Sequence, residues 1–175
     1  MGQLLEKFKE IDNNLEQEIN RITNEEERRR KEKDREKISL ERKFQEIINF
    51  INNSNNTMSN LSPDDYAVEN GAAYVVAKNV KDKMKINQLR KFFTRIKGID
   101  NEIRMEKENN NFDASKTVVL LPELAYAYGR GLITKEFYDL MKICLSETKI
   151  RTVKDFKRLV DFLSAVLAYH KMLSK

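Results

Sequence analysis

Between Gln3 and Leu61 the chain contains neither glycine nor proline, and its 175 residues include only five glycines and two prolines. These residues supply the tight reversals that sandwiches and barrels need, so a chain this poor in them cannot readily build a turn-rich β-fold. Charged residues make up 35% of the chain, which suits long helices with solvated outer faces. No segment alternates apolar and polar residues as a half-buried strand does. The expected fold is therefore all-α: a compact bundle of about five helices, preceded by a long charged helix or arm.

Residues 1–51 read as that arm. Leu4, Phe8, Ile11, Leu15 and Ile22 follow heptad-like steps, with Ile19 one position off the seam. A second run, Leu40, Phe44, Ile47 and Ile51, repeats the steps out of phase with the first. Between the runs, Asn24 to Lys37 has no apolar stripe, and Glu25–Arg29, Glu26–Arg30 and Glu27–Lys31 stand at i,i+4 in the favourable order. A continuous rod of this length would extend about 75 Å. Alternatively, a capping box at Thr23 and Glu26 would restart the helix there.

Residues 52–61, rich in asparagine, read as a linker, and residues 62–175 as the bundle. Ser62-Pro63 pairs a preferred N-cap with a preferred first helical residue, and opens a helix expected to run to about Lys83. Further helices are expected from Ile86 to about Glu108 and from Asp113 or Ser115 to Tyr128. The second of these is closed by Gly129 and Gly131, with Pro122 setting its start or a kink. Thr134 caps the next, to about Glu147. Thr152 with Asp155 caps the last, to about Ser174.

Charge is unevenly spread. Residues 1–51 hold 12 Lys/Arg against 13 Asp/Glu, and residues 52–175 hold 21 against 15, so the positive excess belongs wholly to the later region. A polyanion is the partner such an excess suits. Within the segment Gln88–Lys97, Leu89, Phe92, Phe93 and Ile96 fall on one arc about 100° wide that must face a core. Arg90 and Lys97 lie on one flank of it, and Lys91 and Arg95 lie further round. Outward cations on one helix can follow a line of phosphates and fix register without reading sequence. Lys85, Arg130, Lys149 and Arg151 are further candidates for the same surface. Core packing is the expected role of Tyr126, Tyr128, Phe156, Phe162 and Tyr169.

Catalytic constellations are scarce. His170 is the only histidine and Cys144 the only cysteine, so neither a histidine pair nor the usual His/Cys zinc site can form within one chain. His170 reads as a surface or capping residue, and Cys144 as a buried, inert thiol. No phosphate-binding glycine loop is present, since Gly129-Arg130-Gly131 is too short and follows a helix. No carboxylate pair stands in the apolar setting that acid–base chemistry needs. No stretch approaches the roughly 18 apolar residues of a membrane span. The reading is a non-enzymatic, cytoplasmic protein without metal or cofactor.

Three segments carry a more specific signal: QLRKFF from Gln88, LLPELAYAYGR from Leu120, and FKRLVDFLSAVLAYHK from Phe156. Together and in this order they resemble the small all-helical subunit of type III-A CRISPR interference complexes. The chain is similar in class to the small subunit of type III-B complexes as well, which stands as the alternative within this resemblance. The resemblance implies a helical bundle without a catalytic centre, of which several copies stack along an effector. There they line the channel holding guide RNA paired with target RNA. It implies as partners a backbone subunit that cleaves the target and a large polymerase-like subunit that makes cyclic oligoadenylate and cuts DNA. The RNA-facing residues it implies are Arg90, Lys91, Arg95, Lys97 and Arg130. The long charged segment before about residue 60 exceeds the family's usual N-terminus. A second reading, independent of the resemblance, is a helical adaptor that dimerises through this arm.

Overall fold

The computed structural model describes residues 2–174, and among them the fold is an all-α bundle with no strand. It opens with two helices rather than one rod. α1 spans Gln3–Asn20 and α2 spans Glu25–Asn52. They pack on each other as a hairpin, because the two apolar runs are out of phase and can meet only if the chain turns back. The turn lies one residue beyond the expected capping box. The Asn24 side chain accepts from the backbone N–H groups of Glu26 (3.0 Å) and Glu27 (3.3 Å), and three glutamates follow at the positive end of α2. Because α1 ends at Asn20, Ile19 joins its buried stripe and Ile22 falls outside the helix.

The hairpin shares the central core. Leu4, Phe8, Phe44, Ile47 and Ile51 are buried in the same apolar cluster as residues as distant as Val166. The Asn-rich segment is equally tied down. A single 3-10 turn at Met58–Asn60 buries Met58, and Leu61 follows it into the core.

The helix expected from Ser62 to Lys83 is broken in two, α3 (Pro63–Tyr66) and α4 (Ala72–Val80). Ser62 caps α3 as expected, accepting from Asp65 N–H. The break follows because Asn70 takes a left-handed backbone and Gly71 lies against its neighbours. A Cβ on Gly71 would stand 2.9 Å from the Asp65 carbonyl oxygen. α5 spans Ile86–Glu102 and stops about six residues short of expectation. The chain beyond it is drawn away as a strap: Phe112 N–H donates to Arg151 O, while Val153 and Lys154 N–H donate to Asn110 O and Glu108 O. Pairing with the start of the last helix outweighs local helix propensity there.

α6 (Ser115–Val118) leads into α7 (Leu120–Gly129), whose Pro122 sits in the first turn, where a missing N–H leaves no helical bond unmade. α8 spans Lys135–Cys144 behind the Thr134 cap, and α9 spans Val153–Leu173 behind the Thr152–Asp155 capping box. α9 is the central post, with α4 and α5 packed along it and α2 against α4 and α8. Phe156 and Phe162 are fully buried, and Phe112 stacks on Phe156 at 4.8 Å between centroids.

Four buried polar side chains join distant segments. Asp65 accepts from Leu4 N–H (2.7 Å) and Leu5 N–H (3.4 Å), so it caps α1 from across the chain, and Gly2 is needed because a Cβ there would meet Asp65 Oδ1 at 2.1 Å. Asp155 accepts from Ser59 N–H (3.0 Å) and from the Ser59 hydroxyl, besides capping α9. Burial pushes the Asp155 carboxyl up, but hydrogen bonds from Ser59, Thr57 and Thr152 together outweigh it and leave it below the ordinary carboxylate range. His170 is buried rather than at the surface: its Nε2 lies 2.8 Å from Met84 O and its Nδ1 3.2 Å from Ser174 Oγ, so it ties α9 to the α4–α5 turn. Lys149, expected on a binding surface, is only 3% exposed and belongs with this group.

Candidate nucleic-acid interface

The positions of α5 and α7 follow from their apolar residues. Leu89, Ile96 and Ile99 bury one side of α5, with Phe92 edge-on to Phe137 of α8 at 6.0 Å between centroids. Leu120 and Leu124 bury α7. α7 ends in a left-handed turn: Gly131 has φ of 65°, Leu132 N–H donates to Ala127 O, and Gly131 N–H donates to Tyr128 O. That turn places Arg130 at the helix end, beside α5.

Between the two helices lies a groove of about 510 Å³. Phe92, Leu124, Ile133 and Phe137 form its apolar floor. Lys91, Arg95 and Arg130, three of the expected RNA-facing residues, line it together although they are separated by up to 39 positions in the chain. The Lys91 ammonium is exposed and forms no ion pair among the described residues. The Arg130 guanidinium also meets no carboxylate there. It lies over the Tyr126 ring at 5.5 Å from the centroid and is 3.4 Å from its hydroxyl. Arg95 is bound to Glu123 across the groove at 2.7 Å.

The remaining candidates are dispersed. Arg90 stands exposed on the adjacent flank of α5, with no carboxylate partner among the described residues. Lys97 shares that flank but is held by Asp100 at 2.5 Å. Lys85 is the exposed N-cap residue of α5, and its side chain makes no cap bond. Arg151 is exposed at the start of α9, where its Nε donates to Thr148 O at 3.2 Å. Lys149 is withdrawn from any interface. Its Nζ donates to Asn53 O (2.5 Å) and Asn56 O (3.1 Å), closing the Asn-rich turn, and burial followed by repulsion from Arg151 lowers its pKa. A buried ammonium held by two carbonyls cannot also meet a phosphate.

Two aromatic residues also differ from their expected core role. Tyr126, expected in the core, is 65% exposed at the mouth of the groove, and Tyr128 is also exposed. The signal was present: Pro122, Tyr126 and Arg130 recur every fourth residue and so share one face of α7. Glu123, opposite Arg95, carried no signal of its own. By contrast, Cys144 is buried as expected, and burial pushes its thiol up to about 12, so no thiolate forms at neutral pH. Among the described residues no helix is long and apolar enough to cross a membrane.

A family model described as Csm2 Type III-A matches residues 64–175, which takes in α4 to α9 and leaves the α1–α2 hairpin outside the match. No curated protein and no solved structure matches the chain. The chain belongs to the Csm2 type III-A family, the small structural subunits of type III-A CRISPR complexes.

Proposed function

We propose that this chain is a non-catalytic, cytoplasmic RNA-binding scaffold subunit that lines the channel for guide RNA paired with target RNA. The observation carrying the proposal is that Lys91 and Arg130 border one groove and Arg90 stands on the adjacent flank of α5, each exposed and without a carboxylate partner among the described residues. Cations in this state keep their full attraction for phosphate, and RNA releases counterions when it meets them. Arg95 and Lys97 join them when phosphate displaces Glu123 and Asp100. The Arg95–Glu123 pair is exposed and contributes only about 0–1 kcal/mol, so that exchange costs little, whereas Asp100 is half-buried and holds Lys97 more firmly. Lys85 extends the track at the start of α5. Arg151 lies at the far end of the strap, apart from this track.

The resulting hold on RNA is through the backbone and the shape of the duplex, and guide pairing supplies sequence specificity. Partner subunits are the backbone and large polymerase-like subunits of the complex, with further copies of this chain stacked beside it. The reading as an adaptor that dimerises through its arm has less support. Leu4, Phe8, Phe44, Ile47 and Ile51, the apolar surface such a dimer would use, are packed inside the chain's own core.

The test is co-purification of the tagged chain from cells carrying the whole system, followed by sequencing of bound RNA. Short guide-sized RNA is expected with the natural chain. With R90E, K91E and R130E combined it is expected to fall sharply while partner subunits still co-purify. Undiminished guide RNA in a complex retaining the variant chain contradicts the proposal.

A further inference from the structure

A phosphate track requires only cations on a solvated helix, yet Lys91 and Arg130 border a recess with an apolar floor. Its volume, about 510 Å³, lies in the range of sites that enclose small organic groups rather than single ions. At its mouth Tyr126 is 65% exposed, and Arg130 lies against its ring, holding a flat aromatic surface in water. Exposed rings beside cations are what single-stranded nucleic-acid sites use to stack bases. Glu123 adds an acceptor of the kind that pairs with a base's exocyclic amine.

We propose that the α5–α7 groove receives one unpaired nucleotide of the bound RNA, its base against Tyr126 and the apolar floor, and its phosphate between Lys91 and Arg130. The inference rests on the RNA-binding reading above and adds to it that the contacted strand presents a base outside its helix. An acidic helix of a partner protein is the competing occupant. It suits the same charge, but it has no need of a flat ring held open by a guanidinium.

The experiment uses the full chain and two RNA duplexes, one fully paired and one with a single bulged 2-aminopurine, whose fluorescence falls when it stacks. The bulged duplex is expected to bind about tenfold more tightly, with quenching of the probe. Tyr126→Leu should remove both the preference and the quench, whereas Tyr126→Phe should keep both. Tyr126 is a surface residue, and thermal melting of each variant checks its fold. Equal affinity for the two duplexes, tighter binding without quenching, or a quench surviving Tyr126→Leu overturns the proposal while the phosphate reading stands. Failure to bind either duplex overturns both together.

Discussion

The α1–α2 hairpin and the α5–α7 surface are both rich in lysine and arginine, but they dispose of the charge in opposite ways. In the hairpin, many cations are matched with carboxylates. Lys7 meets Glu46, Arg28 meets Glu32, Arg29 meets Glu25, Arg35 meets Glu16, Arg42 meets Glu18 and Lys43 meets Asp12, at 2.5–3.3 Å. Arg30, Lys33 and Lys37 are exposed without an ion pair among the described residues, but they belong to a segment with one more acid than base over residues 1–51. On α5 and α7, Arg90, Lys91 and Arg130 have no such neutralisation. Charge density alone therefore does not mark an interface. What marks it is unpaired cationic charge outside any acidic segment and set beside a groove, and this distinction depends on how the chain folds.

The hairpin's role in this comparison is structural, and the largest expected effect tests that. Ile47 is fully buried where α2 meets the core, so Ile47→Ala should destabilise the whole chain by about 2–5 kcal/mol in a single denaturant transition. Two separate transitions would show that the hairpin folds independently. Next in size is Asp65→Ala, which removes the carboxylate joining α1 to α3. A loss of about 1.5–3 kcal/mol is expected from chemical denaturation, with RNA affinity of the folded protein preserved.

Asp155 gives a smaller effect with a defined pH dependence. Its folded pKa is lowered, so its contribution is complete above the unfolded carboxyl value of about 3.9 and is lost as pH falls through the lower folded value. Asp155→Ala should thus cost about 1–2 kcal/mol at pH 7. Thermal melts across pH should show the gap to the natural chain narrowing below about pH 4. The smallest effects are expected at the hairpin's ion pairs. Arg35→Ala and Arg42→Ala should each change stability by less than about 1 kcal/mol, because both side chains are well exposed, and neither should alter RNA binding.

The local signals in the sequence were reliable where the physics is local. Ser62, Thr134 and the Thr152–Asp155 pair cap the helices they precede, since a cap acts within three residues. The inward arc of α5 followed directly from helical spacing. What could not be read depends on distant partners. Nothing near Lys149 indicates that Asn53 and Asn56 will enclose it, and nothing near Asp65 points to α1. α5 stops early because the strap finds hydrogen bonds some 40 residues further on. Tyr126 is exposed because α7 is short and only one side of it meets the core. The candidate cations were thus legible as a group, but their sorting into free, paired and buried required the fold.

The most direct test of that sorting is the salt dependence of RNA-duplex binding for two triple variants with the same change in charge. R90A/K91A/R130A should weaken binding and reduce the slope of log K against log salt by about 0.7–0.9 for each phosphate contact removed. R29A/R35A/R42A, which removes hairpin cations already paired with carboxylates, should leave both affinity and slope close to those of the natural chain. Equal losses in the two variants, or a larger loss from the hairpin, would contradict the claim that the unneutralised cations of α5 and α7 hold the RNA.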